Sequence, residues 1–236
     1  MSFPVSVSWG ELRRDTGEHV SHGQGVENEL GIVLDDRVCE RCNNGWMKRL
    51  DDRVAKFMAP SLDSEANVSL SLAQQLQLAR WATKVALLLA LWFHDQPRVR
   101  DVALVELNYV PANNFTRLYK NSTMLPEHTH VWIGAVAPWV PVSECMVTSE
   151  GVHGALGSVG YYTAFRLRRM VFFVVGASIT YAHPLDKWLD AERLVGQPQT
   201  MLRIWPPLEP VIHWPPPNRL EAEQLTRLVQ PKPDRR

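Results

Sequence analysis

Apolar residues recur at intervals of three and four between Trp46 and Met58 (Trp46, Met47, Leu50, Val54, Phe57, Met58), the spacing of a helix with one buried face. Pro60 is expected to stop that helix. Ser71-Leu72-Ala73-Gln74 reads as a capping box, a hydroxyl followed three residues later by a Gln, and opens a helix from about Leu72 to Phe93. The unbroken apolar run inside it, Val85 to Phe93, falls well short of the roughly 20 residues a bilayer span requires, so it reads as a buried helix. A shorter helix is expected from Pro111 to Tyr119, with Pro in its first turn.

Beyond residue 129 the pattern turns to short β-branched and aromatic runs. Val131–Ala137, Ser143–Thr148, Tyr161–Leu167, Val171–Ser178 and Met201–Trp205 are expected strands, separated by Gly, Pro and Ser. Arg166-Leu167-Arg168-Arg169 falls near a hairpin, where its charges would serve as solubilising edge residues. A near-repeat follows, Ile204-Trp205-Pro206-Pro207 and then His213-Trp214-Pro215-Pro216-Pro217. This Trp-Pro segment (204–217) is expected to pack as extended polyproline on its own domain, ahead of a last helix from about Leu220 to Val229. At the other end, residues 1–30 are polar and Gly-containing and read mostly as loop after a β-like opening, Val5 to Trp9. Ile32-Val33-Leu34 and Val38 then suggest a strand leading into Cys39.

The fold class expected from this order is α+β. A short strand–knuckle–helix segment, half a treble clef (1–60), precedes a domain (61–230) in which the helix 72–93 packs on an antiparallel sheet from the β-rich stretch 129–205; a basic tail (231–236) follows.

Composition narrows the classes without choosing among them. The 236 residues are 45% hydrophobic and 21% charged, as in ordinary globular chains. Lys plus Arg and Asp plus Glu both number 25, so no overall field attracts nucleic acid or an anionic membrane, which argues against a dedicated DNA-coating protein. A local basic face remains open: Arg37, Arg41, Lys48, Arg49, Arg53 and Lys56 stand against Glu40, Asp51 and Asp52. Phosphate contact and a solvated helix face are equal readings of that excess. Three cysteines suggest a reducing compartment, and the first residues lack a signal-peptide pattern, so a cytoplasmic protein without membrane attachment is expected.

Cys39-Glu40-Arg41-Cys42 is the one pointed chemical feature. Two thiolates three residues apart can grip one zinc ion (Zn2+), but a structural site needs four ligands. His19 and His22, or Cys145, are the candidates to complete it. The other reading leaves the site incomplete in this chain, with two reduced thiols and solvated histidines. A thioredoxin-like role lacks its βαβ context.

The stretch Val38-Cys39-Glu40-Arg41-Cys42-Asn43-Asn44-Gly45-Trp46-Met47, with Leu50-Asp51 after it, resembles the second knuckle of HNH endonuclease-like proteins of bacteria and phages, a mostly uncharacterised group. The likeness extends through Ala79-Arg80-Trp81-Ala82-Thr83-Lys84 and the two Trp-Pro segments. It implies a ββα-metal fold in which a histidine, here matched by His19 after Glu18, activates water for phosphodiester cleavage. It also implies zinc at Cys39 and Cys42 and a nucleic-acid substrate; the local basic excess, not the resemblance, names Arg37, Arg41, Lys48 and Arg49 as the candidate contacts to DNA. The sequence departs from that pattern: no cysteine precedes Cys39, Glu18-His19 lies close to it, and Asn43 stands where a histidine follows the knuckle. A chain that starts late and a degenerate relative both fit these departures.

Lys84 interrupts an apolar helix face and reads as a snorkelling lysine or a phosphate contact. The functional expectation is an HNH-like protein that is not an efficient nuclease; the alternatives are an active metal-dependent DNA endonuclease and a protein-interaction module built on the β-rich half.

Overall fold

The computed structural model describes residues 8–12, 19–24, 40–63, 66–95, 112–140, 147–154, 157–177 and 190–229. Cys39, Arg37, Cys145, the strand expected at 32–38 and the tail 231–236 lie outside the described residues. The fold is α+β, with helices on antiparallel sheets.

Strands β1 (Ser8–Leu12) and β2 (His19–Gln24) pair antiparallel, Leu12 opposite His19 and Ser8 opposite Gln24, with a register shift after Trp9. This hairpin stands where loop is expected for most of residues 1–30. Its polar composition gives no alternating apolar signal, so the backbone ladder holds a strand that side-chain pattern does not announce.

Helical structure begins at α1 (Glu40–Cys42) and continues through a π-helical turn (Asn43–Met47) into α2 (Lys48–Asp63). The turn leaves helical geometry at Gly45 (φ −95°, ψ −106°), and the Lys48 backbone N–H donates to the carbonyls of Asn43 and Gly45. Cys42 therefore ends a helical turn. Pro60 lies inside α2 and does not stop it. A helix-interior proline gives up one backbone N–H and crowds the carbonyl four residues earlier, and α2 nonetheless continues through Ser61 to Asp63.

Strand β3 (Val68–Ser71) leads directly into α3 (Leu72–Asp95). The side chain of Gln74 turns back at this junction, accepting from Ser71 N (3.0 Å) and Ser71 Oγ (2.9 Å), which is the Gln half of the expected capping box. Helix α4 (Ala112–Lys120) follows.

The five-stranded sheet has the order β5 (Val147–Gly154), β6 (Gly157–Leu167), β7 (Met170–Ala177), β4 (His130–Ala135), β8 (Met201–Trp205), every neighbour antiparallel. Its middle strands are apolar on both faces, and their alternation assigns side chains to two cores. Val131, Ile133, Phe165, Phe172 and Val174 pack against α3 (Leu78, Trp81, Leu87) and α2 (Leu50, Val54, Met58). Trp132, Tyr162, Ala164, Phe173 and Val175 pack on the opposite face with α5 (Ala191–Val195) and α6 (Ala222–Val229), through Ala191, Val195, Leu225 and Leu228. The sheet is thus the middle of three layers. Full burial of each such side chain contributes roughly 1.5–3 kcal/mol.

Arg168 and Arg169 make the two-residue turn between β6 and β7, with Arg168 at φ 54°. Arg166 is not an edge charge: it is buried, and its guanidinium donates to the carbonyls of Arg168 (2.5 Å) and Val140 (3.4 Å). The Trp-Pro segment is likewise not one polyproline run. It divides into the end of β8, a turn at 206–210, and strand β9 (Val211–Trp214), which pairs antiparallel with β3. Among the described residues no helix is long and apolar enough to cross a membrane.

Candidate nucleic-acid interface

Helix α2 has two faces because its sequence has two periodicities. Met47, Leu50, Val54 and Met58 are buried. Trp46, Arg49, Arg53 and Lys56 follow one another at intervals of three, four and three, and the three basic members are exposed. Such spacing sets side chains along one stripe of a helix. Arg41, in α1, and Lys48, at the start of α2, are exposed as well; Lys48 forms an ion pair with Asp52 at 3.5 Å, a surface contact worth little.

At the edge of the buried face lies a polar junction that sequence spacing does not reveal. The Asp51 carboxylate oxygen Oδ1 accepts from Trp81 Nε1 at 2.9 Å and from Lys84 Nζ, both on α3. The Lys84 side chain is 6% exposed and that of Asp51 36% exposed, so the lysine does not snorkel; it is drawn inward to a carboxylate at the rim of the core. Burial lowers the Lys84 pKa below its ordinary value, and the charge and hydrogen bond of Asp51 oppose that shift.

Arg80, one residue before Trp81, reaches the other way. It is buried and donates to the carbonyls of Leu118 (2.8 Å) and Ser122 (3.0 Å) at the end of α4. Its pKa is lowered by desolvation first and by the charge of Arg53 second, so the α2 stripe passes close to this attachment. The adjoining residue of α4, Tyr119, is 55% exposed, and its ring lies 6.0 Å from that of Trp46 at 43°. Trp46, expected on the apolar face, is only half buried: it leans on the core and meets Tyr119 at the surface.

Of the residues singled out in the sequence, Arg41, Lys48 and Arg49 are exposed, and Arg49 belongs to the stripe. Cys42 is half-buried at the end of α1; its intended partner Cys39 lies outside the described residues. His19 and His22 belong to β2, His22 at its register shift. Among the described residues no group of three or more His, Cys, Asp or Glu side chains is placed to hold a metal ion. Asp51, Arg80 and Tyr119 are the additions the structure makes. Leu50-Asp51 of α2 and Trp81…Lys84 of α3 meet at the Asp51 carboxylate.

No protein-family model matches this sequence, and neither a curated protein nor a solved structure matches it.

Proposed function

We propose that this chain is an HNH-like nucleic-acid-binding protein that docks on phosphates through the basic stripe of α2 and is not an efficient nuclease. The observation that carries the reading is the stripe itself: Arg49, Arg53 and Lys56 at helical spacing on an exposed face, with Arg41 and Lys48 also exposed, in a chain with no net charge to explain them. Guanidinium and ammonium groups at this spacing suit successive phosphates and release their counterions on contact. The junction of Asp51 with Trp81 and Lys84 supports the reading in a second way. It fixes α2 against α3, so the basic side chains project from a rigid element.

Phosphodiester hydrolysis needs a metal that polarises the phosphate and a base that activates water. In this reading Cys39 and Cys42, with His19 and His22 as completing ligands, are a scaffold remnant and not a working centre.

The test is fluorescence anisotropy with labelled DNA over a salt series, comparing the wild-type chain with the triple variant Arg49→Ala, Arg53→Ala, Lys56→Ala. Binding is expected to weaken for every sequence, and the slope of log K against log salt to fall by about 2 to 3 on a duplex. Equal binding by the variant, or none by the wild type at low salt, overturns the reading. Zinc analysis of the wild type against Cys39→Ser, Cys42→Ser, together with plasmid cleavage in Mg2+ or Mn2+, tests the other half. One zinc per chain with cleavage abolished by His19→Ala makes the protein an active endonuclease instead.

A further inference from the structure

The basic stripe does not end in more charge; it ends in two aromatic rings. Trp46 heads the series Trp46, Arg49, Arg53, Lys56, and Tyr119 stands against it with more than half its surface in solvent. A large exposed aromatic beside phosphate-binding cations offers a flat face on which a base can stack.

Resting on the reading of α2 as a phosphate-binding face, we propose that Tyr119, backed by Trp46, is a stacking platform for an unpaired base, and that the ligand is single-stranded nucleic acid. Two features of the surroundings favour this at the last turn of α4, where Tyr119 sits and the helix end carries partial negative charge. Arg80 donates into that end at Leu118 and Ser122, so the negative end of the helix is neutralised where a strand would pass. Lys120 is exposed next to Tyr119 and adds a cation on the same end. From Arg49 to Lys56 the stripe extends about 10 Å along the axis, room for a short run of backbone continuing from a base held at Tyr119. A regular duplex keeps its bases stacked inside and offers Tyr119 nothing but sugar and phosphate, so the platform is used only when a base is free.

The experiment compares wild type, Tyr119→Ala and Tyr119→Phe for binding to an oligodeoxyuridylate, the matching oligouridylate and a duplex of equal length. Tyr119 is exposed, so its truncation leaves the core intact, and circular dichroism confirms this for each variant. The wild type is expected to prefer the single strands. Tyr119→Ala should weaken their binding on the order of 10-fold while the duplex changes little, and Tyr119→Phe should retain it. Unequal loss on the two single strands would assign the preference to DNA or to RNA, and either supports the platform. Single-strand binding unchanged in Tyr119→Ala, yet lost in the Arg49, Arg53, Lys56 triple variant, overturns the platform and leaves the basic face standing. No binding of any of the three nucleic acids by the wild type overturns both.

Discussion

The ring of Tyr161 occupies the space that a side chain at Gly176 would need. The two residues are direct partners across β6 and β7, and a Cβ added at 176 would lie 2.4 Å from Tyr161 Cε1, 2.6 Å from Cζ and 2.7 Å from Oη. Gly176→Ala therefore has to push a buried ring out of a packed sheet. It should destabilise the fold by about 1–3 kcal/mol in urea titration, the usual scale of overpacking. An unchanged midpoint would show that the ring moves freely.

The same tyrosine makes stability depend on alkaline pH. Its hydroxyl is buried and, among the described residues, has no hydrogen-bond partner. Burial raises its pKa well above the ordinary 10.0. The folded state therefore keeps the proton longer than the unfolded state. The Tyr161 contribution is fully present below pH 10 and is lost as pH rises beyond it. Tyr161→Phe should remove this part of the alkaline loss and be neutral or slightly stabilising at pH 7, since it deletes an unpaired hydroxyl. An alkaline limb identical in the two proteins would contradict this.

Asp51 and Lys84 should respond unequally to mutation. Asp51→Ala leaves a buried ammonium and an indole N–H without their acceptor. It should cost about 2–3 kcal/mol, the lower end for a broken buried pair because Asp51 is partly exposed. Lys84→Met removes the buried charge with little loss of volume and should fall within about 1 kcal/mol of wild type. Equal losses would mean that the pair is worth its net attraction, against this argument. The sign of the pH effect follows from the lowered Lys84 pKa. The cost of holding its charge in the fold is present below that pKa and is relieved as pH rises toward 10.5.

Arg80→Met should detach the end of α4. It deletes two hydrogen bonds from a charged donor to backbone carbonyls and should cost about 2 kcal/mol. Hydrogen exchange would show the change as faster exchange confined to Ala112–Lys120; protection equal to wild type there would remove Arg80 from this role.

Much of the architecture was legible in the chain. The long helix announced itself through a capping sequence and an extended apolar run, and the strands of the main sheet through β-branched and aromatic clusters. What escaped detection depends on distant partners or on short, well-capped pieces. β3 is four residues of alternating Val, Ser and Leu, and its register is set by β9, whose Trp214 pairs with Val68. α5 is five residues long, though its signals were present: Asp190 Oδ1 accepts from Glu192 N (2.9 Å) and Arg193 N (3.1 Å), and Gly196 ends it at φ 69°. For the candidate site, the basic residues could be read from α2, but the environment of Lys84 could not. Its carboxylate partner lies 33 residues earlier on another helix, and no spacing rule connects the two.

The layering of the sheet sets an order on how this protein is made. Helices α2 and α3 precede all five sheet strands in the chain, so one face finds its cover already synthesised. The other face, with Trp132, Phe173 and Val175, must wait for Leu225 and Leu228 of α6, which leave the ribosome after every strand. Until then the nascent sheet carries an uncovered aromatic surface, the kind that chaperones bind and that associates with other chains. The last helix is short, yet its arrival closes the interval in which this chain is most exposed to misassembly.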